Sequence, residues 1–329
     1  MRGTSGLHHV TAIAGPAQEN LDFYAGVLGM KLVKKSVNQD DPGTFHLFYA
    51  DAEGRPGTDL TFFPWSHLAP SRPGHGLATE VALAVPGDSL AFWESRLERY
   101  GTAVGARETR FGDDVLTLVD PHGLRVALVA SRSAEERPFT PWEAGPVPVE
   151  RQIRGLDGAR LWLRDLAPSE ALLAGPLGLV RLGEERGWVR WGRDGGGFAP
   201  SGVRLDLAHR PDTPRGMWGT GAIHHLAWRV EDDAHELELR EAIAAAGSHP
   251  TAVIDRFWFR SVYFKEPGGV LFELATDGPG FAVDEEPSRL GETLVLPPWL
   301  ESQRSAIEAA LPPLTAPAPA AAGTPGANP

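Results

Sequence analysis

The chain has 329 residues, of which 42% are hydrophobic and 22% are charged, and its formal net charge is -12 at pH 7. This length allows two ordinary domains with well-buried cores, and the acidic balance disfavours electrostatic capture of nucleic acid or of an anionic membrane surface. The chain has no cysteine, which excludes disulfides, iron–sulfur clusters, thiolate zinc sites and a cysteine nucleophile. The sequence reads straight into a strand without a long apolar run, so we expect a cytoplasmic protein without a signal peptide or a membrane span.

Four segments of the chain share one plan: a short apolar strand, an amphipathic helix, and several strands that end in an apolar one. They run from about residues 7 to 65, 76 to 130, 155 to 209 and 222 to 276. In the first segment Leu21, Tyr24 and Leu28 share one helix face, and Gly29 follows as a stop signal. The sequence therefore predicts an α+β fold of four β-α-β-β-β modules.

Module pairing follows from burial, because one small sheet cannot cover its own apolar face. We expect the four modules to pair into two half-barrel-like domains. Modules 1 and 2 are assigned to residues 1–135, and modules 3 and 4 to residues 151–279. Residues 280–311 are predicted to form a C-terminal extension with a short helix, and the Ala/Pro-rich residues 312–329 a disordered tail.

Two His-His pairs open the first and fourth modules, and a glutamate closes the fourth. Side chains alternate along a strand, so we assign His9 and His225 as ligands, while His8 and His224 face away or are tilted toward a substrate. Glu273 stands in an otherwise apolar stretch, where a buried carboxylate is costly unless it is paired or metal-bound. Two imidazoles and one carboxylate are the protein ligands of a non-heme Fe(II) facial triad. A lone histidine usually just hydrogen-bonds to the backbone, but two pairs at equivalent repeat positions favour a metal site.

The other modules lack this ligand set. Four residues after the turn glycine, where the fourth module has Glu273, the second has Ala127 and the first has Thr61. The third has Asp206, but that module opens without a histidine. We therefore expect Asp206 to be a polar or hydrogen-bonded position rather than part of a second metal site.

The chain resembles the vicinal oxygen chelate superfamily, which includes glyoxalase I and the extradiol dioxygenases, and more narrowly its ring-cleaving dioxygenases that act on hydroquinones. The likeness covers nearly the whole chain except the Ala/Pro tail. The matching stretches are residues 6–11 (GLHHVT), 45–63 (FHLFYADAEGRPGTDLTFF), 110–112 (RFG), 219–227 (GTGAIHHLA), 255–273 (DRFWFRSVYFKEPGGVLFE) and 290–311 (LGETLVLPPWLESQRSAIEAAL).

This resemblance implies Fe(II) held by His9, His225 and Glu273, the residues reached above from spacing. Mn(II) would suit the same ligands. The resemblance also implies substrate-contacting residues at His8, Thr11, His224, Arg256 and Tyr263.

The expected reaction inserts both atoms of O₂ into an aromatic diol and opens the ring, with metal and protein holding the reactants together. His8 or His224 would transfer a proton, because imidazole titrates near neutral pH. Tyr263 and Arg256 would hydrogen-bond the developing anion. The aromatic side chains expected to form an apolar substrate wall are Trp228, Phe257 and Trp258.

Two other functions remain open at this stage. One is a glyoxalase-like lyase or isomerase that uses the metal without O₂; such sites usually draw a further carboxylate or glutamine from the other module, where Thr61 stands here. The other is a non-catalytic protein that sequesters an aromatic compound or a drug. The expected partners are a small aromatic substrate and O₂, and a homo-oligomer is left open.

Overall fold

The computed structural model describes residues 2–131, 134–193 and 202–317. The first module contains β1 (Leu7–Ala14), α1 (Ala17–Leu21), β2 (Lys31–Asn38), β3 (Asp41–Ala50) and β4 (Asp59–Pro64), and α1 continues as a π-helical stretch at Asp22–Val27. The second contains β5 (Leu77–Val85), α2 (Leu90–Arg99), β6 (Glu108–Arg110), β7 (Asp113–Val119) and β8 (Arg125–Ala130). The third contains β9 (Leu156–Leu163), α3 (Ala167–Ala174), β10 (Val180–Glu185), β11 (Trp188–Gly192) and β12 (Arg204–His209). The fourth contains β13 (Ile223–Val230), α4 (Asp233–Ala245), β14 (Ile254–Asp255), β15 (Arg260–Lys265) and β16 (Leu271–Thr276), and α5 (Arg304–Ala310) follows it.

The strands form two eight-stranded sheets, each curled into a half-barrel. The first sheet has the order β14-β15-β16-β13-β1-β4-β3-β2, and the second has the order β10-β11-β12-β9-β5-β8-β7-β6. The predicted α+β fold of four modules in two half-barrels is confirmed.

The pairing of modules differs from the predicted one. The first sheet combines modules 1 and 4, and the second combines modules 2 and 3, so the first and last modules share one half-barrel and the two middle modules share the other. The linkers after β4 and after β12 run beside each other, with bridges that include Pro70 to Thr220 and Arg72 to Met217. Closing a long loop costs only slightly more free energy than closing a short one, so distant modules can share a sheet. Where domain boundaries fall stays a prediction.

Both half-barrels carry two β-bulges in their central strand pair. In the β1–β13 pair the residues left without a cross-strand partner are His8 and His224. In the β5–β9 pair they are Thr79 and Asp157. A bulge interrupts strict alternation and re-aims a side chain. Of the two orientations that the sequence allows for His8 and His224, pointing away is wrong, because their Nδ1 atoms lie 3.0 and 2.8 Å from those of His9 and His225.

The core and the candidate site lie on opposite faces of the first sheet. Leu226 and Trp228 of β13 are fully buried in the main core cluster, together with Leu239 and Ile243 of α4. Because side chains alternate along the strand, Ala227 between them points to the concave face.

The C-terminal extension is fixed against the first half-barrel by a buried lysine. Lys34 of β2 is fully buried, and its Nζ lies 2.7 Å from Asp284 and 2.5 Å from Glu285. Asp284 also accepts a hydrogen bond from the indole of Trp258 at 3.0 Å. The extension contains α5, as the sequence predicts.

The start of the tail contacts the first module through hydrogen bonds between Thr315 and Gln18. Residues 318–329 of the predicted disordered tail lie outside the described residues. Among the described helices, none is long and apolar enough to cross a membrane.

Candidate metal centre

Three buried side chains converge on the concave face of the first half-barrel. His9 of β1, His225 of β13 and Glu273 of β16 offer ligand atoms that all lie within 4.8 Å of one another. The two histidine Nε2 atoms are 3.1 Å apart. The Oε2 atom of Glu273 lies 3.3 Å from His9 Nε2 and 2.9 Å from His225 Nε2. The three ligands predicted from the sequence are thus brought together.

The strand register explains why residues so distant in sequence meet. β13 pairs with β1 on one side and with β16 on the other, and Ala227 is the cross-strand partner of both His9 and Glu273. Its methyl group leaves the space between the two longer side chains open.

The carboxylate of Glu273 has one oxygen satisfied and one orphaned. Oε1 accepts a hydrogen bond from Ser261 at 2.6 Å, while the buried Oε2 has no hydrogen-bond partner. An unsatisfied buried carboxylate oxygen is costly. A divalent cation would satisfy it together with both imidazoles, and this donor set suits Fe(II), Mn(II) or Zn(II). The residues therefore fit a metal ion.

Burial and neighbouring charges keep Glu273 and His225 in the protonation states that metal binding requires. Burial raises the pKa of Glu273, but the adjacent His9 and His225 outweigh it and hold the pKa well below its usual range. Burial lowers the pKa of His225. At neutral pH Glu273 is ionised and His225 is neutral, which are the states that metal binding requires.

A second histidine contacts the ring of each candidate histidine ligand. Nδ1 of His8 is 3.0 Å from Nδ1 of His9, and Nδ1 of His224 is 2.8 Å from Nδ1 of His225. Nε2 of His8 lies 3.1 Å from the backbone oxygen of Thr276. Burial lowers the pKa of His8 and that of His224 to about 3, so both rings are neutral.

A small cavity opens onto His9 and His225. Apolar and aromatic walls with a few polar groups are typical of small-molecule sites. The lining residues are His9, Asn38, Gln39, Asp40, His46, Phe48, Phe63, His225, Arg256, Trp258, Phe259 and Tyr263.

Arg256 and Tyr263 stand together on one wall of the cavity. The guanidinium of Arg256 lies 5.4 Å from the ring centre of Tyr263 and binds both carboxylate oxygens of Asp40 at 2.8 and 3.2 Å. Burial raises the pKa of Tyr263, so its hydroxyl is protonated at neutral pH and can donate a hydrogen bond.

His46 of β3 is a cavity residue that sequence reasoning missed. Its Nε2 lies 2.9 Å from the hydroxyl of Thr61, which in turn lies 2.7 Å from the hydroxyl of Thr11. Burial, reinforced by His9 and His225, holds the pKa of His46 well below its ordinary value. The available signal was a polar residue between apolar neighbours in a predicted strand.

Several predicted site residues lie outside the cavity lining of the described structure. Thr11 is buried beneath it, and Trp228 packs in the core against Phe272 with ring centres 5.6 Å apart. Phe257 contacts Trp299 instead. The residues predicted to act on or bind substrate that do not line the cavity are His8, His224, Thr11, Trp228 and Phe257.

Comparison with known proteins supports one family. The model of the glyoxalase/bleomycin resistance protein/dioxygenase superfamily matches residues 6–128. The Bacillus subtilis protein named "Putative ring-cleaving dioxygenase MhqO" is 43% identical over 308 residues, covering 94% of this chain and 96% of that protein. Chlorohydroquinone/hydroquinone 1,2-dioxygenase of Sphingobium indicum is 30% identical over 304 residues, covering 90% and 92%.

Solved structures agree with this assignment. A Bacillus subtilis structure is 41% identical and superposes with a TM-score of 0.90, covering 96% of this chain and 99% of that one. Glyoxalase I from Zea mays, at 15% identity and a TM-score of 0.64 with 85% and 96% covered, shares the fold. The resemblance seen in the sequence is confirmed, and the chain belongs to the glyoxalase/bleomycin resistance protein/dioxygenase superfamily, with full-length relatives among its ring-cleaving dioxygenases.

Proposed function

We propose that this protein is an Fe(II)-dependent dioxygenase that inserts both atoms of O₂ into a hydroquinone or a related aromatic diol and opens the ring. The observation that carries the proposal is the convergence of His9, His225 and Glu273 beside an aromatic-lined cavity. The named activity of the Sphingobium relative supports the choice of substrate. When bound, the ferrous ion would supply open coordination positions and the electrons through which O₂ and a diol react.

The cavity walls select and orient the substrate. Phe48, Phe63, Trp258 and Phe259 present aromatic faces against which a single aromatic ring can pack. Holding the ring in one orientation beside the ligands lowers the entropy cost of the reaction.

The histidine that meets the substrate in this proposal is His46, rather than His8 or His224. His46 lines the cavity and is neutral at physiological pH, so its ring can accept a hydrogen bond from a diol hydroxyl. Thr61, held by Thr11, fixes the ring through its hydrogen bond to Nε2.

Charge that develops on the substrate is stabilised from the opposite wall. The hydroxyl of Tyr263 and the guanidinium of Arg256 are donors that face the cavity. Donors placed in advance, away from bulk water, stabilise an anion more than mobile water does.

The residue of the first module that corresponds to Glu273 argues against the glyoxalase-like alternative. Glu273 of β16 is the cross-strand partner of Ala227, and Thr61 of β4 is the cross-strand partner of Thr11. Because Thr11 and Ala227 each lie two residues after the candidate histidine ligand, Thr61 corresponds to Glu273. Its hydroxyl is engaged by Thr11 and His46, and no further carboxylate joins the metal cluster among the described residues.

The proposal is tested by loading the protein with Fe(II) under anaerobic conditions and measuring O₂ uptake with a panel of hydroquinones and catechols. We expect one O₂ to be consumed per ring opened, with activity lost on oxidation to Fe(III) and restored by ascorbate and Fe(II). Parallel loading with Mn(II) and Zn(II) identifies the metal, and Glu273→Gln is the matched inactive control. Turnover of a methylglyoxal–thiol adduct without any O₂ uptake would replace this proposal with the lyase alternative.

A further inference from the structure

A buried ammonium group contacts one aromatic wall of the cavity from outside. Lys34 of β2 is fully buried, and its Nζ atom lies 5.3 Å from the ring centre of Trp258 and 5.7 Å from that of Phe281. Trp258 lines the cavity, whereas Lys34 is not among the described lining residues. A cation this close to an aromatic face is attracted to it, so the lysine and this wall are physically connected.

The C-terminal extension binds all three protons of this ammonium group. The acceptors are the backbone oxygen of Phe281 at 3.0 Å, a carboxylate oxygen of Asp284 at 2.7 Å and one of Glu285 at 2.5 Å. An ammonium has three donors, and a buried charge is costly unless it is paired and hydrogen-bonded. The lysine therefore fixes residues 281–285 in one place beside β2.

Asp284 uses its second carboxylate oxygen to hold the wall residue. Its Oδ1 atom binds Lys34, while Oδ2 accepts a hydrogen bond from Nε1–H of Trp258 at 3.0 Å. Hydrogen bonds to ionised acceptors are stronger than those between neutral groups. The backbone N–H of Gly280 also donates to the carbonyl of Trp258 at 2.8 Å. The extension therefore holds both the side chain and the main chain of Trp258.

The loop that carries Trp258 depends on such support. Phe257 has a φ of 73°, which a residue other than glycine rarely adopts and which persists only where the surrounding structure enforces it. The same loop supplies Arg256, Trp258 and Phe259 to the cavity lining. A change in how the extension holds this loop would therefore change the shape of the cavity.

The extension also lies behind the neighbouring aromatic wall. Phe48 and Trp258 both line the cavity, and their ring centres are 6.3 Å apart. The buried ring of Phe281 packs edge-on against Phe48, with ring centres 5.1 Å apart. Residues outside the lining thus set the position of two adjacent walls.

We propose that Asp284, anchored by Lys34, is a positioning residue that holds the indole of Trp258 in one orientation, so that the C-terminal extension determines which ring substituents the cavity accepts. The inference rests on the proposed function for the class of substrate. The orientation of Trp258 itself requires neither a metal ion nor turnover, so it can be measured separately.

Nitrogen-15 NMR of the tryptophan-labelled full chain tests the contact itself. The signal that Trp258→Phe removes identifies the indole N–H. In wild type we expect this signal at low field with slow solvent exchange, because a buried carboxylate accepts the proton. Asp284→Ala should shift the signal to higher field and accelerate its exchange. Glu285→Ala is the matched control, because it also removes one carboxylate from Lys34 but leaves the acceptor of the indole, and it should keep the wild-type signal.

Binding of two diols tests the effect on specificity. The probes are hydroquinone and 2-methylhydroquinone, titrated calorimetrically into the protein loaded with redox-inert Zn(II). We expect Asp284→Ala to bind hydroquinone about 10-fold more weakly, as is typical for loss of a hydrogen bond to a charged group. The methylated ring should lose less affinity, because a loosened wall admits the substituent, so the ratio of the two affinities should change. Glu285→Ala should retain the wild-type ratio.

A double variant separates this role from a general loss of stability. Trp258→Phe has no indole N–H, so adding Asp284→Ala to it should change neither diol affinity further. An indole signal that stays unchanged in folded Asp284→Ala, or an unchanged affinity ratio, would overturn the proposal. If Asp284→Ala does not fold, Asp284→Asn replaces the charged acceptor with a neutral amide and should shift the signal and the ratio in the same directions.

The two proposals fail in different ways. Wild type that shows the expected indole signal but binds neither diol would remove the proposed function, and the specificity role with it. Wild type that binds both diols, with the same affinity ratio in folded Asp284→Ala, would remove only this inference.

Discussion

The two half-barrels share their bulged strand pairs but place opposite chemistry on their concave faces. Where the first sheet has Glu273 opposite Ala227, the second has Asp206 opposite Arg160. The register that places His9 beside Ala227 places Glu80 beside Arg160. Equivalent backbone positions therefore carry the candidate metal ligands in one half-barrel and acid–arginine pairs in the other.

The buried carboxylates of the second half-barrel are neutralised by the protein itself. Asp206 accepts from Arg190 at 2.7 and 3.0 Å and from Arg160 at 3.3 Å, and Glu80 binds Arg110. In the first half-barrel the facing groups are imidazoles, and Oε2 of Glu273 remains without a hydrogen bond. Equivalent positions of one fold can thus hold a carboxylate with an oxygen free for a cation or a carboxylate bound by arginines, according to the side chains that face it.

The largest effect is expected from removing the carboxylate of the candidate metal centre. Glu273→Gln should lose iron and dioxygenase activity, with metal affinity falling by more than the roughly 10–100-fold seen for partners behind ligands. The folded state should survive, because Ser261 can still donate to the amide oxygen. Iron analysis, activity and circular dichroism measure these effects, and full iron occupancy in the folded variant would contradict the ligand assignment.

The corresponding change in the second half-barrel should have the reverse outcome. Asp206→Asn leaves Arg190 and Arg160 without their shared carboxylate, and breaking such a buried pair typically costs about 3–5 kcal/mol. Iron content and kcat of the folded variant should match wild type. Chemical denaturation measures the loss of stability. A variant as stable as wild type but devoid of iron would reverse the roles that we assign to the two half-barrels.

Tyr263→Phe tests the hydroxyl that lines the cavity of the first half-barrel. If the hydroxyl donates to charge that develops on the substrate, kcat should fall about 10²-fold while KM changes less. Iron content should stay unchanged, because the tyrosine is not a ligand. Steady-state kinetics on the iron form separates these quantities, and an unchanged kcat would remove Tyr263 from the mechanism.

Only groups of the first half-barrel should determine how metal binding depends on pH. Burial lowers the pKa of His225 from its usual 6.5, so the ring stays neutral at pH 6.5 and the metal should be retained there. Protons should displace the metal only as the pH falls further. The Tm increase caused by zinc should persist from pH 8 to 6.5 and then decline, equally in wild type and Asp206→Asn. A decline already complete at pH 7 would contradict the lowered pKa.

The smallest effect is expected at the rim of the cavity. Asp40 pairs with Arg256, but its side chain is 73% exposed, so Asp40→Asn should cost less than about 1 kcal/mol of stability. Iron content should not change. Denaturation at low and high salt measures this contribution, and a loss as large as that of Asp206→Asn would show that the rim is as important as the buried pairs.

The three candidate ligands could be picked out because the sequence repeats an unusual pair at equivalent places. His9 and His225 are marked by their neighbours His8 and His224, and Glu273 stands out in an apolar strand. His46 is a single histidine in a strand. It has neither a neighbouring histidine nor an equivalent in another module, so the sequence did not identify it.

Long-range register could not be predicted from the modules alone. The sequence shows four units but not which opening strands meet, so the pairing of modules 1 with 4 and 2 with 3 emerged only from the sheets. Asp206 was expected to be hydrogen-bonded, and it is, but its partner Arg190 lies on β11 and is brought opposite only by strand register. The bulges at His8 and His224 also depend on a partner strand.

The location of iron tests the functional asymmetry of the two half-barrels most directly. Crystals of the iron-loaded protein, measured at the iron absorption edge, give an anomalous difference map that places the metal independently of activity. We expect one peak per chain, bounded by His9, His225 and Glu273. A peak among Glu80, Asp206 and their arginines, or no peak at the three ligands of the first half-barrel, would contradict the division between a metal-binding half-barrel and a self-neutralised one.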